Sequence, residues 1–106
     1  MEIGGPSCLV LPLHCVQWGD DLIVSDFYDH NVKVFTREGE YKYKFGKQGT
    51  GDGELNYPYF MSVTKSGKVL VCDQGNHRVQ VFEMNGKLVS LGKRATTWEN
   101  LKIHRL

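Results

Sequence analysis

Residues 12–46 (PLHCVQWGDDLIVSDFYDHNVKVFTREGEYKYKFG) and 58–92 (PYFMSVTKSGKVLVCDQGNHRVQVFEMNGKLVSLG) are two copies of one pattern. Each runs from a proline to a glycine. Pro12 and Pro58 are 46 positions apart; Asp26 and Asp73, His30 and His77, Val32 and Val79, Val34 and Val81, Phe35 and Phe82, and Gly39 and Gly86 are all 47 apart. A chain that repeats itself at this period stacks copies of one supersecondary unit, because a single copy cannot bury its own apolar faces.

The content of each copy defines the unit. CVQW (15–18), LIVS (22–25), NVKVF (31–35) and YKYKF (41–45) in the first match MSVT (61–64), VLVC (69–72), RVQVF (78–82) and KLVSL (87–91) in the second. Val, Ile, Phe and Tyr dominate these runs. Turn pairs Gly19-Asp20, Glu38-Gly39, Ser66-Gly67 and Asn85-Gly86 separate them, as antiparallel hairpins require. Val32-Lys33-Val34 and Val79-Gln80-Val81 alternate with the period of a half-buried strand. The pattern predicts an all-β chain of two four-stranded antiparallel blades, packed radially as in an incomplete β-propeller. Residues 1–11 form a lead-in, 47–57 connect the blades, and 93–106 are a tail that matches nothing in the repeat. In the connection, Gly49, Gly51 and Gly53 suit a tight passage between blades, where positive φ or close backbone approach excludes a side chain.

Composition narrows the function. The 13 basic and 12 acidic side chains leave a formal charge of +1, which argues neither for nor against nucleic acid. Residues 12–46 carry net −2, residues 58–92 net +2 and residues 93–106 net +3, well short of a polybasic arm. Three cysteines (Cys8, Cys15, Cys72) form no CxxC pair and suit a reducing, cytoplasmic setting. The first residues carry Glu2 where a secretion signal wants a cation, and Pro12 cuts the apolar run, so they read as part of the fold. No apolar stretch approaches the roughly 20 residues of a membrane span.

GKQGTGDGELNYP (46–58) followed by SGKVLVCDQGNHRVQVF (66–82) resembles the NHL repeat of tripartite-motif (TRIM) proteins. The likeness rests on Gly46, Gly49, Gly51, Gly53, Leu55 and Pro58, then Gly67, Val71, Asp73, Asn76-His77-Arg78, Val79, Val81, Phe82 and Gly86. In the first copy Asp29-His30-Asn31-Val32 stands for Asn76-His77-Arg78-Val79. The resemblance implies a closed propeller, usually of six blades. It also implies a binding surface for protein or single-stranded RNA, often in a chain whose RING domain makes it a ubiquitin-protein ligase. No RING ligands occur in these 106 residues. The expected function is therefore that of a binding module, not an enzyme, from a fragment or short relative of such a ligase, with substrate recognition as its part. Two blades with bare flanks are also expected to self-associate to complete a ring. A metal-dependent NHL-type lyase or hydrolase is the rival reading.

Candidate residues follow from these positions. Asp26 and Asp73, one per repeat at a strand end, read as loop-capping carboxylates that accept backbone N–H bonds. His30 and His77 read as repeat-defining residues; a zinc site would need a third ligand, and no metal or other cofactor is expected. His14, Tyr28, Tyr57, Tyr59, Asn76 and Arg78 lie on loops or strand starts that a propeller brings to one face, with Phe60 beside them. Aromatics interleaved with a cation are the chemistry that stacks bases and holds phosphates. The alternative for Tyr57, Phe60 and Arg78 is packing and ion pairing between blades. Lys33, Lys42, Lys44 and Lys87 read as solvated edges. In the tail, Trp98, Leu101, Ile103 and Leu106 read either as an amphipathic turn over a blade edge or as disorder.

Overall fold

Three of the hairpins are one motif used repeatedly. Gly39, Gly67 and Gly86 take φ of 92°, 88° and 93°. Each donates its N–H to the carbonyl three residues back, while Thr36, Thr64 and Glu83 pair with Glu40, Lys68 and Lys87 across the turn. Thr36 and Thr64 Oγ1 and Asn85 Oδ1 accept the N–H of the returning strand. A positive φ closes a three-residue hairpin loop without splaying its strands, so glycine is needed there.

In the computed structural model, residues 9–89 are described. Strands β1 (Pro12–Trp18), β2 (Asp21–Asp26), β3 (Asn31–Thr36) and β4 (Tyr41–Phe45) form one antiparallel sheet in sequential order. Strands β5 (Pro58–Val63), β6 (Val69–Asp73) and β7 (Arg78–Phe82) form the second. A three-residue 3-10 turn joins β2 to β3 (Phe27–Asp29) and β6 to β7 (Gln74–Asn76). The copies share details of register: an extra residue interrupts the pairing between Pro12 and His14 in β1 and between Pro58 and Met61 in β5. The change of offset from 46 to 47 lies in the first hairpin. Gly19-Asp20 link Trp18 to Asp21 in blade 1, whereas Lys65, Ser66 and Gly67 link Thr64 to Lys68 in blade 2.

The chain is thus all-β, two blades of an unclosed propeller, as the repeat predicts. Of the eighth strand only the start falls among the described residues: Leu88 bridges Phe82, and Val89 N–H donates to the Val81 carbonyl. The rest of that strand and the tail lie outside the described residues. Among the described residues no helix is long and apolar enough to cross a membrane.

The core sits between the blades. Ile23, Val32, Val34 and Phe45 from the first meet Met61, Val69, Val71 and Phe82 from the second, with Leu55 of the connection between them. Phe45 and Phe82 lie 4.9 Å apart at a tilt. Each fully buried aliphatic side chain contributes roughly 1.5–3 kcal/mol, so this seam fixes the relative placement of the two sheets. Leu70, Val79 and Val81 form a second, smaller cluster on the far flank of blade 2.

One expectation needs correction. Lys33 is no solvated edge: its side chain is fully buried and its ammonium bonds Asp26, Asp29 and Asn31. The glycines of the connection take different parts in it. Of Gly49, Gly51 and Gly53, only Gly53 has a positive φ, as does Gly46 just before them. A Cβ on Gly49 would sit 2.0 Å from Glu54 Oε1, the oxygen that accepts the Gly51 N–H. Gly49 therefore makes room for the carboxylate that ties the loop.

Candidate recognition surface

The loops at one end of each blade are anchored by a buried carboxylate. Asp26, fully buried at the end of β2, accepts N–H bonds from Val10 (2.9 Å) and Leu11 (2.7 Å) and a bond from Lys33 Nζ (2.8 Å). Asp73 accepts the Asn56 N–H at 2.6 Å, Arg78 Nε at 2.8 Å and Asn76 Nδ2 at 2.9 Å. Both thereby fix the segment leading into their blade, the capping role read from the sequence. The cation that neutralises the carboxylate comes from different repeat positions: Lys33 matches Gln80, and Arg78 matches Asn31. Hydrogen bonding from Lys33 holds the Asp29 carboxyl below its ordinary pKa, outweighing the opposing effect of burial. Gln80 fills the remaining polar space, donating to the Glu54 carbonyl and accepting the Gly53 N–H.

These anchors decide which candidates face outward. Arg78 does not. It is 6% exposed, and beyond Asp73 its Nη2 donates to the carbonyls of Gly51 (2.7 Å) and Glu54 (2.8 Å), so its guanidinium ties the connection to blade 2. Its expected place on a partner-facing surface is corrected by that burial. Asn76 is half-buried and committed to the Gly49 carbonyl and Asp73.

The aromatic candidates do come together. Phe27 and Tyr28, from the first 3-10 turn, meet Tyr57 at ring distances of 4.9 and 6.1 Å. Phe27 touches Tyr59 at 6.3 Å, Tyr59 stacks on Phe60 at 4.8 Å, and Phe60 meets His14 edge-on at 5.0 Å. The result is a continuous aromatic path across the blade junction, with Tyr28 59% and Tyr57 37% exposed. Phe27 was not among the sequence-derived candidates, although its place beside Tyr28 in the same loop was the available signal.

Tyr57 is held under strain. Its φ is 58°, uncommon for a bulky side chain and disfavoured before proline. Such a conformation costs on the order of 1–3 kcal/mol and persists only where the surroundings fix it, typically at functional positions. Here the Tyr57 N–H donates to His30 Nδ1 at 3.0 Å and its carbonyl accepts from Gln74 N–H. His30, itself at φ 56°, matches His77 at φ 56°. Since a backbone N–H occupies His30 Nδ1, that nitrogen is not available to a metal. Among the described residues no group of three His, Cys, Asp or Glu could hold a metal ion.

His14 makes the parallel contact one strand away, Nδ1 accepting the Met61 N–H at 3.0 Å. Burial lowers its pKa below the ordinary imidazole value of 6.5. The unfolded chain then binds the proton more readily than the folded one. The stabilising contribution is therefore complete above pH 6.5 and is lost as pH falls through the lowered folded value. Melting temperature is expected to drop over that acidic window, and His14→Gln to flatten part of the slope; identical slopes in both proteins would count against the assignment.

The two-blade geometry defines a β-propeller segment, and comparison with known proteins agrees. A family model described as a 6-bladed beta-propeller matches residues 6–94. The chain is 33% identical over 72 residues to Protein brain tumor of Drosophila melanogaster, covering 66% of this chain and 7% of that protein. It is 31% identical over 100 residues to the human E3 ubiquitin-protein ligase NHLRC1, covering 90% of this chain and 25% of that protein. A crystal structure of a Bacteroides fragilis protein superposes with a TM-score of 0.71 at 20% identity, over 82% of this chain and 25% of the other, and so shares the fold. The chain belongs to the six-bladed β-propeller family, among the NHL-repeat propellers of the TRIM type. It spans a quarter or less of these relatives' lengths.

Proposed function

We propose that this segment is a recognition module that binds a protein partner through the aromatic surface at the blade junction. The observation that carries this reading is Tyr57: a solvent-facing aromatic, strained at φ 58°, set among Phe27, Tyr28 and His30. Rigid aromatics with one exposed face are the side chains that most often dominate protein interfaces. Single-stranded RNA is the second reading, supported by the stacked Tyr59–Phe60 pair. It is weakened by the loss of two cations, Arg78 and Lys33, to buried ion pairs. Relatives named as ubiquitin-protein ligases suggest that the partner would be a ligase substrate when the propeller is joined to a catalytic domain.

Selection of peptides against the immobilised chain, run beside a pool of single-stranded RNA, tests this. Peptide binding is expected to weaken about tenfold or more in Tyr57→Ala or Tyr28→Ala, the size of an interface hot spot. Binding confined to RNA, with a steep loss in salt, would move the assignment to nucleic acid. Peptides indifferent to both substitutions would overturn the site.

A further inference from the structure

Blade 1 contains a socket that blade 2 fills. Segment Tyr57–Met61 lies in it, held by three bonds from different parts of blade 1. His30 Nδ1 accepts the Tyr57 N–H, Ser25 Oγ donates to the Tyr59 carbonyl at 2.7 Å, and His14 Nδ1 accepts the Met61 N–H. Phe27 covers Tyr57, and Val32 lies below in the core. Shifted by one repeat, His14, Ser25, Phe27, His30 and Val32 become Phe60, Cys72, Gln74, His77 and Val79. Those five residues line an open cleft of about 340 Å³ on the far flank of blade 2. His77 has the same backbone as His30, ψ 44° against 42°, but its side chain faces solvent. The cleft is therefore the same socket, one blade further on.

The matching plug is also present. Shifting Tyr57–Met61 back by 46 gives Leu11–Cys15, a proline-centred start of an inner strand like Tyr57-Pro58-Tyr59. Pro12 and Cys15 are exposed, and Leu13 is 40% exposed. The flank around this segment repeats the other half of the seam: Leu22, Val24 and Phe35 are the repeat mates of Val69, Val71 and Phe82.

We propose that the cleft on blade 2 receives Leu11–Cys15 of a second copy of this chain, so that chains associate head to tail. The Leu11 N–H, which donates to Asp26 Oδ1 at 2.7 Å within its own blade, would turn on docking to His77 as the Tyr57 N–H is given to His30. Two substitutions make this joint weaker than the internal one. Cys72 is a poorer donor than Ser25, and Phe60 offers no acceptor where His14 does. Association is accordingly concentration-dependent. A heterologous joint of this kind closes into a ring when its rotation allows; for the 106-residue segment, which supplies two blades, three copies make the six of the family. This joint is independent of the partner assigned to Tyr28 and Tyr57.

The test is the mass of the 106-residue chain by light scattering across a concentration series, with far-UV circular dichroism to confirm folding. Wild type is expected to assemble toward three copies. Leu13→Glu spoils the plug and Phe60→Glu the cleft; each alone should be monomeric, and an equimolar mixture should form 1:1 dimers and nothing larger, since one good plug and one good cleft remain. His77→Gly keeps the left-handed backbone and removes the acceptor, and should raise the concentration for assembly about fivefold, the net loss of one hydrogen bond. If Phe60→Glu does not fold, His77→Gly carries the cleft arm. A wild type that stays monomeric, or assembly that survives both glutamate substitutions, overturns the proposal.

Discussion

Asp73→Ala is expected to destabilise the folded chain by about 3–5 kcal/mol, the cost of leaving a buried charge without its partner. Arg78 is 4% exposed at its side chain, and among the described residues Asp73 is the one carboxylate that pairs with it. Removing Asp73 also takes the acceptor from the Asn56 N–H, which leads into blade 2. Against total stabilities of roughly 5–15 kcal/mol for small domains, this is a large part of the margin. The equivalent change in blade 1 should cost less for the ion pair, because Lys33 keeps Asp29 and Asn31. Urea unfolding at one fixed chain concentration measures both. Equal losses at the two positions would show that the cation's second carboxylate is irrelevant. A double variant, Asp73→Ala with Arg78→Met, should recover part of the loss by removing the stranded charge, although the carbonyls of Gly51 and Glu54 then lose their donor.

That network marks the limit of what the sequence makes legible. Strand positions, hairpin glycines and the pairing of blades follow from periodicity and turn chemistry, because these depend on neighbours close in the chain. Asp26 and Asp73 were readable as capping groups for the same reason. The fate of Lys33 was not, and for Arg78 ion pairing stood only as the alternative to a partner-facing role. Each is an alternating polar position on a strand, and local pattern assigns such positions to solvent. For Arg78 the burial comes with the connecting segment folding over it, a contact 24–27 residues distant, while Lys33 turns its ammonium to Asp26, Asp29 and Asn31 at the blade end. The same distance hid the true use of Arg78 in the candidate surface: Arg78→Glu would report on folding, not on binding. The aromatic group fared better. Tyr28, Tyr57, Tyr59 and His14 were legible because the repeat places their loops at one blade end, and the rings do form one path. Strain at Tyr57 could not be read, since only backbone geometry reveals a left-handed tyrosine before proline.

Phe82→Ala should be the other large effect, about 3–5 kcal/mol for an aromatic removed from a packed core. Phe82 is 1% exposed between the blades, tilted against Phe45, and bridges Leu88. Collapse of the cavity is limited because Gly86 packs against Phe45, where a Cβ would come within 2.6 Å. Phe35 offers the internal control. It holds the same place in the repeat, but on the outer flank of blade 1, half-buried and touching Tyr41 at 5.9 Å. In a monomer, Phe35→Ala should cost under about 1 kcal/mol, within the range of substitutions away from a core. If a neighbouring blade covers that flank, Phe35 acquires the burial of Phe82 and its replacement becomes correspondingly costly. Thermal unfolding of both variants at low and high chain concentration separates the cases. The Phe82 penalty should hold at every concentration, whereas the Phe35 penalty should grow with assembly, because only the second residue depends on another chain for its environment.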